Sequence, residues 1–215
     1  MAKPEIKNLH QLKGKKIGVS SPGSTTDIAT RYILKRQGYE FPSDYSIVYI
    51  ATEPGRLAAL DAGILDAALL SVPENILARQ KGFNELVFSG DFIEFPQNGF
   101  GTSTKKIKEN PDEVQRIVRA TLRGLFFVSD KKNKDASLDI IMKTWPIKSR
   151  AMAGEMYDYM VRVMLRDGSI NMNGLQALVD QQRESAKVTE PVNASQVIDY
   201  SFVEKARKEL GTGRQ

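Results

Sequence analysis

The segment from Ser20 to Thr26 carries the residues best suited to hydrogen-bond a small molecule, because all of them except Pro22 are glycine or hydroxylic. It follows a short β-rich run and precedes a helix for which Ser24 offers an N-cap. Free amides and the positive end of a helix dipole suit an anion or a polar carbonyl there, and hydroxyls add neutral hydrogen bonds. A capped turn without a ligand explains the same residues equally well. The candidate ligand-binding residues of this first loop are Ser21, Gly23, Ser24, Thr25 and Thr26.

Two more loops are expected at the same edge, because each follows a predicted strand and parallel strands end together. In the second loop Glu53 suits a hydrogen bond from a ligand amine or hydroxyl, although such an acid more often caps a helix or is solvated. Arg56 suits a ligand carboxylate, or an ion pair with Glu53 or another acid at the surface. The candidate residues of the second and third loops are Thr52, Glu53, Ser71, Val72 and Pro73.

The residue types needed for common catalytic centres are scarce in this sequence. It contains no cysteine and a single histidine, His10, in a polar segment typical of a solvated surface residue. No G-x-S-x-G elbow or G-K-[ST] phosphate loop is present, and the acids lack metal-site spacing. We therefore expect no catalytic activity, no metal and no cofactor.

Charge and hydropathy point to a globular protein without a nucleic-acid surface. The net charge is +5 with a pI near 9.3, but acids and bases alternate along the chain and no reading motif accompanies them. Apolar runs are too short to cross a bilayer. The first residues show no charged segment followed by an apolar one, so no secretory signal is predicted in the sequence as given.

Strand and helix signals alternate over residues 12–98, which predicts an α/β lobe with a mainly parallel sheet and right-handed crossovers. Strands are predicted at 15–20, 46–51, 66–71 and 86–89, with a further extended segment at 99–103. Helices are predicted after Ser24, Pro54 and Pro73.

From Pro111 onward the pattern is helix after helix. Asn110 is predicted to cap the first, and further helices are predicted at 135–144, 148–166, 173–183 and 199–210. Methionines recur along these helices, a feature of core packing and also of adaptable binding grooves. The helices have broad apolar faces but no strands of their own to pack against. Their methionines are Met142, Met152, Met156, Met160 and Met164.

Several short motifs resemble one family of transport proteins when their order is considered. They are the L-K-G-K-K-I-G-V run from Leu12, the Pro22-Gly23-Ser24 turn, the R-L-A-A-L-D-A-G run from Arg56, the L-D-A-A run from Leu65, Pro73, the A-R-Q-K-G-F run from Ala78, the P-D-E-V run from Pro111 and the V-I-D-Y-S-F run from Val197. The sequence from Ile6 to Leu210 is similar to ABC-transporter substrate-binding proteins of the nitrate, sulfonate, bicarbonate and thiamine-precursor group. The resemblance implies a type II periplasmic-binding-protein-like fold, a small-molecule solute, an ABC permease partner and a periplasmic location.

The sequence also departs from the family pattern, which has a first βα lobe before the L-K-G-K motif. The resemblance therefore implies one parallel-sheet lobe at 12–98, followed at 99–210 by a hinge return and helices of an incomplete second lobe. The segment 96–99 matches a hinge strand, which makes Asn98 a further ligand-binding candidate. With half of the closing surface absent we expect weak solute binding or none, and association of copies through exposed apolar helices.

The solute and two other functions stay open at this point. An anionic or carbonyl-bearing solute fits the hydroxyl-rich loops, and an amine or aromatic solute fits through Tyr49 or Glu53. An effector-sensing domain of a transcriptional regulator shares the architecture, but no helix-turn-helix precedes the lobe in this sequence. The third interpretation is a relative of thiamine-pyrimidine synthesis enzymes. It would be non-catalytic, because that chemistry needs histidine- and cysteine-rich elements and this sequence has one histidine and no cysteine.

Overall fold

The computed structural model describes residues 1–93, 96 and 98–211. The chain divides into two compact units, Met1–Glu94 and Phe95–Gln215, and each is described by itself. No helix among the described residues is long and apolar enough to cross a bilayer.

A small parallel sheet forms the centre of the first unit. Strand β1 (Lys16–Val19) lies between β2 (Ser46–Tyr49) and β3 (Ala67–Ala68), and Ile17 is in register with both neighbours. A helix follows each strand, which is the predicted βα arrangement. These helices are α1 (Thr25–Arg36), α2 (Glu53–Asp61) and α3 (Glu74–Gln80).

The apolar pattern of β1 explains why this strand is central. Ile17 and Val19 are buried, as expected for a strand covered on both sides. Between them Gly18 lets Leu65 approach closely, because a Cβ at this position would lie 2.4 Å from Leu65 Cδ1. The main core cluster on this sheet comprises Ala2, Ile6, Leu12, Ile17, Leu34, Tyr45 and Ala67.

The first residues of the chain add an antiparallel contact that the sequence pattern did not predict. Ala2 bridges Ala67 and Asn84, and the Ala2 and Asn84 backbones exchange hydrogen bonds of 2.8 Å in both directions. The Asn84 side chain also donates to the carbonyls of Pro4 and Ile6 at 2.9 and 2.8 Å. These bonds fix the entering segment to the edge of the sheet.

One strand prediction is wrong, and another strand is shorter than predicted. Residues 86–89 form no strand: Leu86 packs against the core, but the segment lacks a strand partner and leads into a 3₁₀ turn at Ser89–Asp91. Residues 99–103 also form no strand and are exposed. The predicted strand at 66–71 is reduced to Ala67–Ala68, because the chain leaves the ladder after bonding Leu69 to the Gly18 carbonyl.

The described part of the second unit contains helices and turns, as predicted. Helix α5 packs against α9 and α6 packs against α7, with Leu122 and Met156 among the buried residues. The burial of Met156 favours core packing for at least this methionine. The helices are α4 (Thr104–Glu109), α5 (Pro111–Ser129), α6 (Lys134–Thr144), α7 (Arg150–Val163), α8 (Met172–Ser185) and α9 (Ser201–Glu209).

Several of the described helices begin with a side-chain N-cap, whereas others, among them α3, α5, α6 and α9, do not. Ser24, Thr52 and Ser149 accept a backbone hydrogen bond as N-caps of α1, α2 and α7. Asn110 occupies the N-cap position of α5, but its side chain makes no capping hydrogen bond. Pro111 at the first helical position, preset for helical φ and without an N–H to satisfy, starts α5 in its place.

Candidate functional site

The three predicted loops leave the sheet at one edge, since β1, β2 and β3 are parallel. After β2 and after β3, one further backbone hydrogen bond joins the chain to β1. The Ile50 amide donates to the Val19 carbonyl at 2.8 Å, and the Leu69 amide donates to the Gly18 carbonyl at 3.1 Å. The loops therefore begin side by side.

The hydroxyls of the first loop form a compact cluster. Thr26 Oγ1 accepts a hydrogen bond from the Ser20 amide at 2.9 Å and lies 2.9 and 3.0 Å from the hydroxyls of Ser20 and Ser24. Ser24 Oγ also accepts from the Asp27 amide at 3.3 Å, which caps α1. These hydrogen bonds tie the two ends of the loop to each other.

Two backbone amides at the start of α1 remain unpaired within the described residues. The amides of Thr25 and Thr26 belong to the first helical turn and have no acceptor there, whereas those of Asp27 and Ile28 bond to Ser24. Both residues are partly accessible. The positive end of the helix dipole adds to their donor character.

An ion pair between the buried Asp27 and the partly exposed Arg31 supports this loop. Asp27, only 4% exposed, accepts from the Gly23 amide at 2.9 Å and from Arg31 Nε at 2.7 Å. Arg31 also donates to the Tyr49 hydroxyl at 3.3 Å, and its guanidinium stacks 3.9 Å from the Phe41 ring centre. Sequence reasoning missed this network, although the i,i+4 spacing of Asp27 and Arg31 was a visible signal.

The predicted residues Glu53 and Ser71 bind each other. Glu53 Oε2 accepts from the Ser71 amide at 2.6 Å, and Oε1 accepts from the Ser71 hydroxyl at 2.9 Å. Thr52 lies beside them as the N-cap of α2 and accepts from the Gly55 amide at 3.2 Å. The second and third loops are therefore joined by side-chain hydrogen bonds.

Arg56 is buried. One of its predicted roles, an ion pair at the surface, would have required an exposed side chain. Arg56 is 1% exposed, and its Nη2 lies 3.2 Å from Glu53 Oε1. Its other hydrogens reach carbonyls of both loops. Nε donates to Leu69 at 3.0 Å, and Nη1 donates to Ile50 at 2.9 Å and Ala51 at 3.2 Å.

The third loop continues from Ser71 through Val72 and Pro73, which are joined by a cis peptide bond. The Ser71 carbonyl accepts from the Asn75 amide at 2.9 Å. Asn75 is buried, and its Oδ1 has no hydrogen-bond partner among the described residues. Burial raises the pKa of the neighbouring Glu74, and the charge of Glu53 adds to this rise.

The remaining predictions concern residues outside this cluster. Asn98 is an exposed residue of the second unit, and the adjoining Gln97 lies outside the described residues. His10 is exposed, as expected for a solvated histidine. Among the described residues no group of histidines and acids could hold a metal ion.

Comparisons with known proteins agree with the motif order. The model of the NMT1-like family matches residues 2–142. The nitrate/nitrite binding protein NrtA of Nostoc sp. is 29% identical over 133 residues, which are 60% of this chain and 30% of that protein. The periplasmic sulfonate-binding protein SsuA of Methylobacillus flagellatus KT matches with a TM-score of 0.70 at 22% identity, over 97% of this chain and 64% of that one. The desulfurization enzyme DSZB matches with a TM-score of 0.59 at 14% identity, over 97% and 75%.

These matches differ in what they support. The structural matches, at low sequence identity, show the fold alone, and they confirm the predicted α/β, periplasmic-binding-protein-like architecture. The chain spans about a third of NrtA and just under two thirds of SsuA. The family model covers well over half of the chain, and its position agrees with the motifs quoted above. The chain therefore belongs to the NMT1-like family.

Proposed function

We propose that this chain captures a small anionic or carbonyl-bearing solute in the periplasm and delivers it to an ABC permease. The observation that carries the proposal is that the backbone amides of Thr25 and Thr26, at the start of α1, have no acceptor in the described part of the chain. Both point to an acceptor-rich solute, because backbone amides can only donate. Family membership and the likeness to nitrate- and sulfonate-binding proteins support the same chemistry.

The charges around the first loop favour an anion as well. Asp27 is the acid nearest to the two amides along the chain, and its charge is balanced by Arg31 at 2.7 Å. The positive end of the α1 dipole then favours an anionic solute at these amides. A bound oxyanion would accept from both amides.

Removal of one amide by proline tests this proposal directly. Thr25 is the first residue of α1, where proline is tolerated, and Ser24 before it has φ −69° and ψ 164°, which proline also requires. We expect Thr25→Pro to weaken binding of 1-propanesulfonate or nitrate about tenfold, the loss of one charge-assisted hydrogen bond. Amide chemical-shift titrations at millimolar solute measure the affinity.

Two controls isolate the amide from other effects. Thr25→Ala removes the hydroxyl but retains the amide, so it should bind nearly as the wild type does. Thr104→Pro makes the same change at the first residue of α4, after Ser103 with φ −80° and ψ 150°. If Thr25→Pro binds both anions as tightly as Thr25→Ala does, the proposed site is wrong.

We propose further that the chain is not a catalyst, although the desulfurization enzyme DSZB has a similar fold. The sequence contains no cysteine, and its one histidine is exposed and distant in sequence from the three loops. Incubation with 2-phenylbenzenesulfinate, followed by assay for released sulfite, tests this: sulfite above the level without protein would contradict it.

Self-association is a separate part of the proposal. The second unit exposes apolar side chains on several helices, including Ile117, Phe127 and Val163. Exposed apolar surface of this kind favours contact with another surface. Sedimentation velocity over a range of concentrations measures the oligomeric state, and a constant monomeric mass would contradict this part.

A further inference from the structure

Asparagine is followed by glycine at two places in the chain, at Asn98–Gly99 and at Asn173–Gly174. In such a pair the backbone nitrogen of the glycine can reach the side-chain carbonyl carbon of the asparagine, so the two groups can react within the chain. Glycine favours this reaction, because it has no Cβ to hinder the approach and its backbone adopts many conformations. The two pairs have the same chemistry, and their surroundings decide where it occurs.

The first pair lies in an open part of the chain. Asn98 and Gly99 are exposed, belong to no helix or strand, and are followed by further exposed residues as far as Ser103. The Gly99 amide donates no backbone hydrogen bond among the described residues. A Cβ added at Gly99 would meet no atom within 4 Å, so the space around this residue is open.

The second pair lies inside a helix. Asn173 and Gly174 belong to the first turn of α8, and their amides donate to Asn171 Oδ1 at 3.0 and 3.1 Å. The helix fixes the backbone rotation of Asn173, and the Gly174 amide must leave its acceptor before its nitrogen can attack. A misplacement of about 1 Å from the reactive geometry can slow such a reaction about a hundredfold.

We infer that Asn98 is a site of self-modification in the folded protein, whereas α8 protects Asn173. The Gly99 nitrogen loses its proton and attacks Cγ of Asn98, which closes a five-membered succinimide ring. The side-chain nitrogen of Asn98 leaves as ammonia and takes up a proton in place of its bond to carbon. Water then opens the ring at one of its two carbonyls and gives aspartate or isoaspartate at position 98. The net change is the addition of one water and the loss of one ammonia.

The two products change the charge and the covalent path of this segment. Either product carries a new carboxylate, which lowers the net charge of +5 by one. In isoaspartate the main chain runs through the side-chain carbons and gains one atom. The change falls shortly after the boundary between the units Met1–Glu94 and Phe95–Gln215. The inference does not depend on the proposed function, because the reaction needs only the chain and water.

Peptide mass spectrometry of the full chain after incubation at mildly alkaline pH measures both conversions. Each deamidated peptide gains the mass difference between water and ammonia. In the folded chain we expect Asn98 to convert faster than Asn173 by about tenfold or more. In concentrated urea both pairs lose their surroundings, and the two rates should become similar.

Three variants separate the causes. Gly99→Ala keeps the asparagine but adds a methyl group beside the attacking nitrogen, and it should slow the conversion of Asn98 several-fold. Gly101→Ala makes the same change where a Cβ also meets no atom within 4 Å, and it should leave the rate unchanged. Asn171→Ala removes the acceptor of the Gly174 amide, so it should speed the conversion of Asn173 and leave that of Asn98 as it was.

Two results would overturn the inference. Equal rates at Asn98 and Asn173 in the folded chain would show that Asn98 is not a preferred site. A ratio of the two rates that is the same in urea as in the folded chain would show that α8 does not protect Asn173.

Discussion

The Asp27 carboxylate lies 2.7 Å from Arg31 Nε, one turn further along α1, and its second oxygen accepts from the Gly23 amide at 2.9 Å. One buried acid thus connects the turn of the first loop to the helix that follows it. The arrangement keeps the loop in place while the amides of Thr25 and Thr26 stay available.

Substitution of Asp27 by asparagine should therefore destabilise the first unit. Asparagine retains an oxygen for Gly23 but loses the charge that Arg31 faces, and we expect a loss of about 1–3 kcal/mol. Urea unfolding followed by circular dichroism measures the change. Asp61→Asn is the control, because Asp61 pairs with Lys81 on the open surface and such pairs contribute about 0–1 kcal/mol. Equal losses of unfolding free energy in Asp27→Asn and Asp61→Asn would show that the Asp27 pair stabilises the fold no more than an exposed pair does.

Replacement of Arg56 by methionine should lower the free energy of unfolding more than any other single change at the loops. Methionine fills a similar space but leaves three carbonyls without their donor and removes the charge that faces Glu53, which keeps only its bonds from Ser71. We expect the free energy of unfolding to fall by about 3–5 kcal/mol, which is typical when one partner of a buried pair is removed. Arg36→Met is the control, since Arg36 is exposed and its contacts among the described residues are with Tyr32, whose hydroxyl lies at 3.3 Å. A loss below about 1 kcal/mol in thermal unfolding of Arg56→Met would contradict the prediction.

Acidification should remove the stabilisation of the folded state that the Asp66 carboxylate provides at pH values above its unfolded pKa. Burial alone would raise the pKa of Asp66, but hydrogen bonds from the Lys16 amide at 2.9 Å and Lys3 Nζ at 2.8 Å outweigh it and lower the pKa below its usual value. A lowered carboxyl pKa stabilises the folded state fully above the unfolded pKa, and the contribution is lost as pH falls through the folded value.

Asp66→Asn should thus be less stable than the wild type by about 1 kcal/mol near neutral pH. The difference should shrink as the pH falls below about 4. Denaturant unfolding at a series of pH values measures this, with Asp61→Asn as the exposed comparison. A difference that stays constant down to low pH would show that the Asp66 charge is not responsible.

Local features of the site could be predicted from the sequence, whereas its internal bonds could not. Ser24 was recognisable as an N-cap because capping depends on residues a few positions apart. The pairing of Glu53 with Ser71 joins residues 18 positions apart, and only the register of β2 and β3 through β1 brings them together. Sequence reasoning therefore placed Glu53 and Ser71 in neighbouring loops without finding that they bind each other.

The strand errors have a related cause. The run at 86–89 has β-forming residues, but a strand also needs a partner, and Ala2 pairs instead with Asn84 just before this run. A two-residue contact of this kind has no periodicity to detect. Helices α5 to α9 were predicted to within a few residues, because their apolar spacing repeats over several turns.

Gly18 provides the last prediction, at the centre of the sheet that carries the loops. A Cβ at this position would meet Leu65 Cδ1 at 2.4 Å, and Leu65 is fully buried, so Gly18→Ala should destabilise by about 1–3 kcal/mol through overpacking. Adding Leu65→Val shortens the opposing side chain, and we expect the double variant to be less destabilised than the sum of the single ones. Gly101→Ala, where a Cβ meets no atom within 4 Å, is the control. Strict additivity in urea unfolding would mean that the close approach of Leu65 is not what requires glycine in β1.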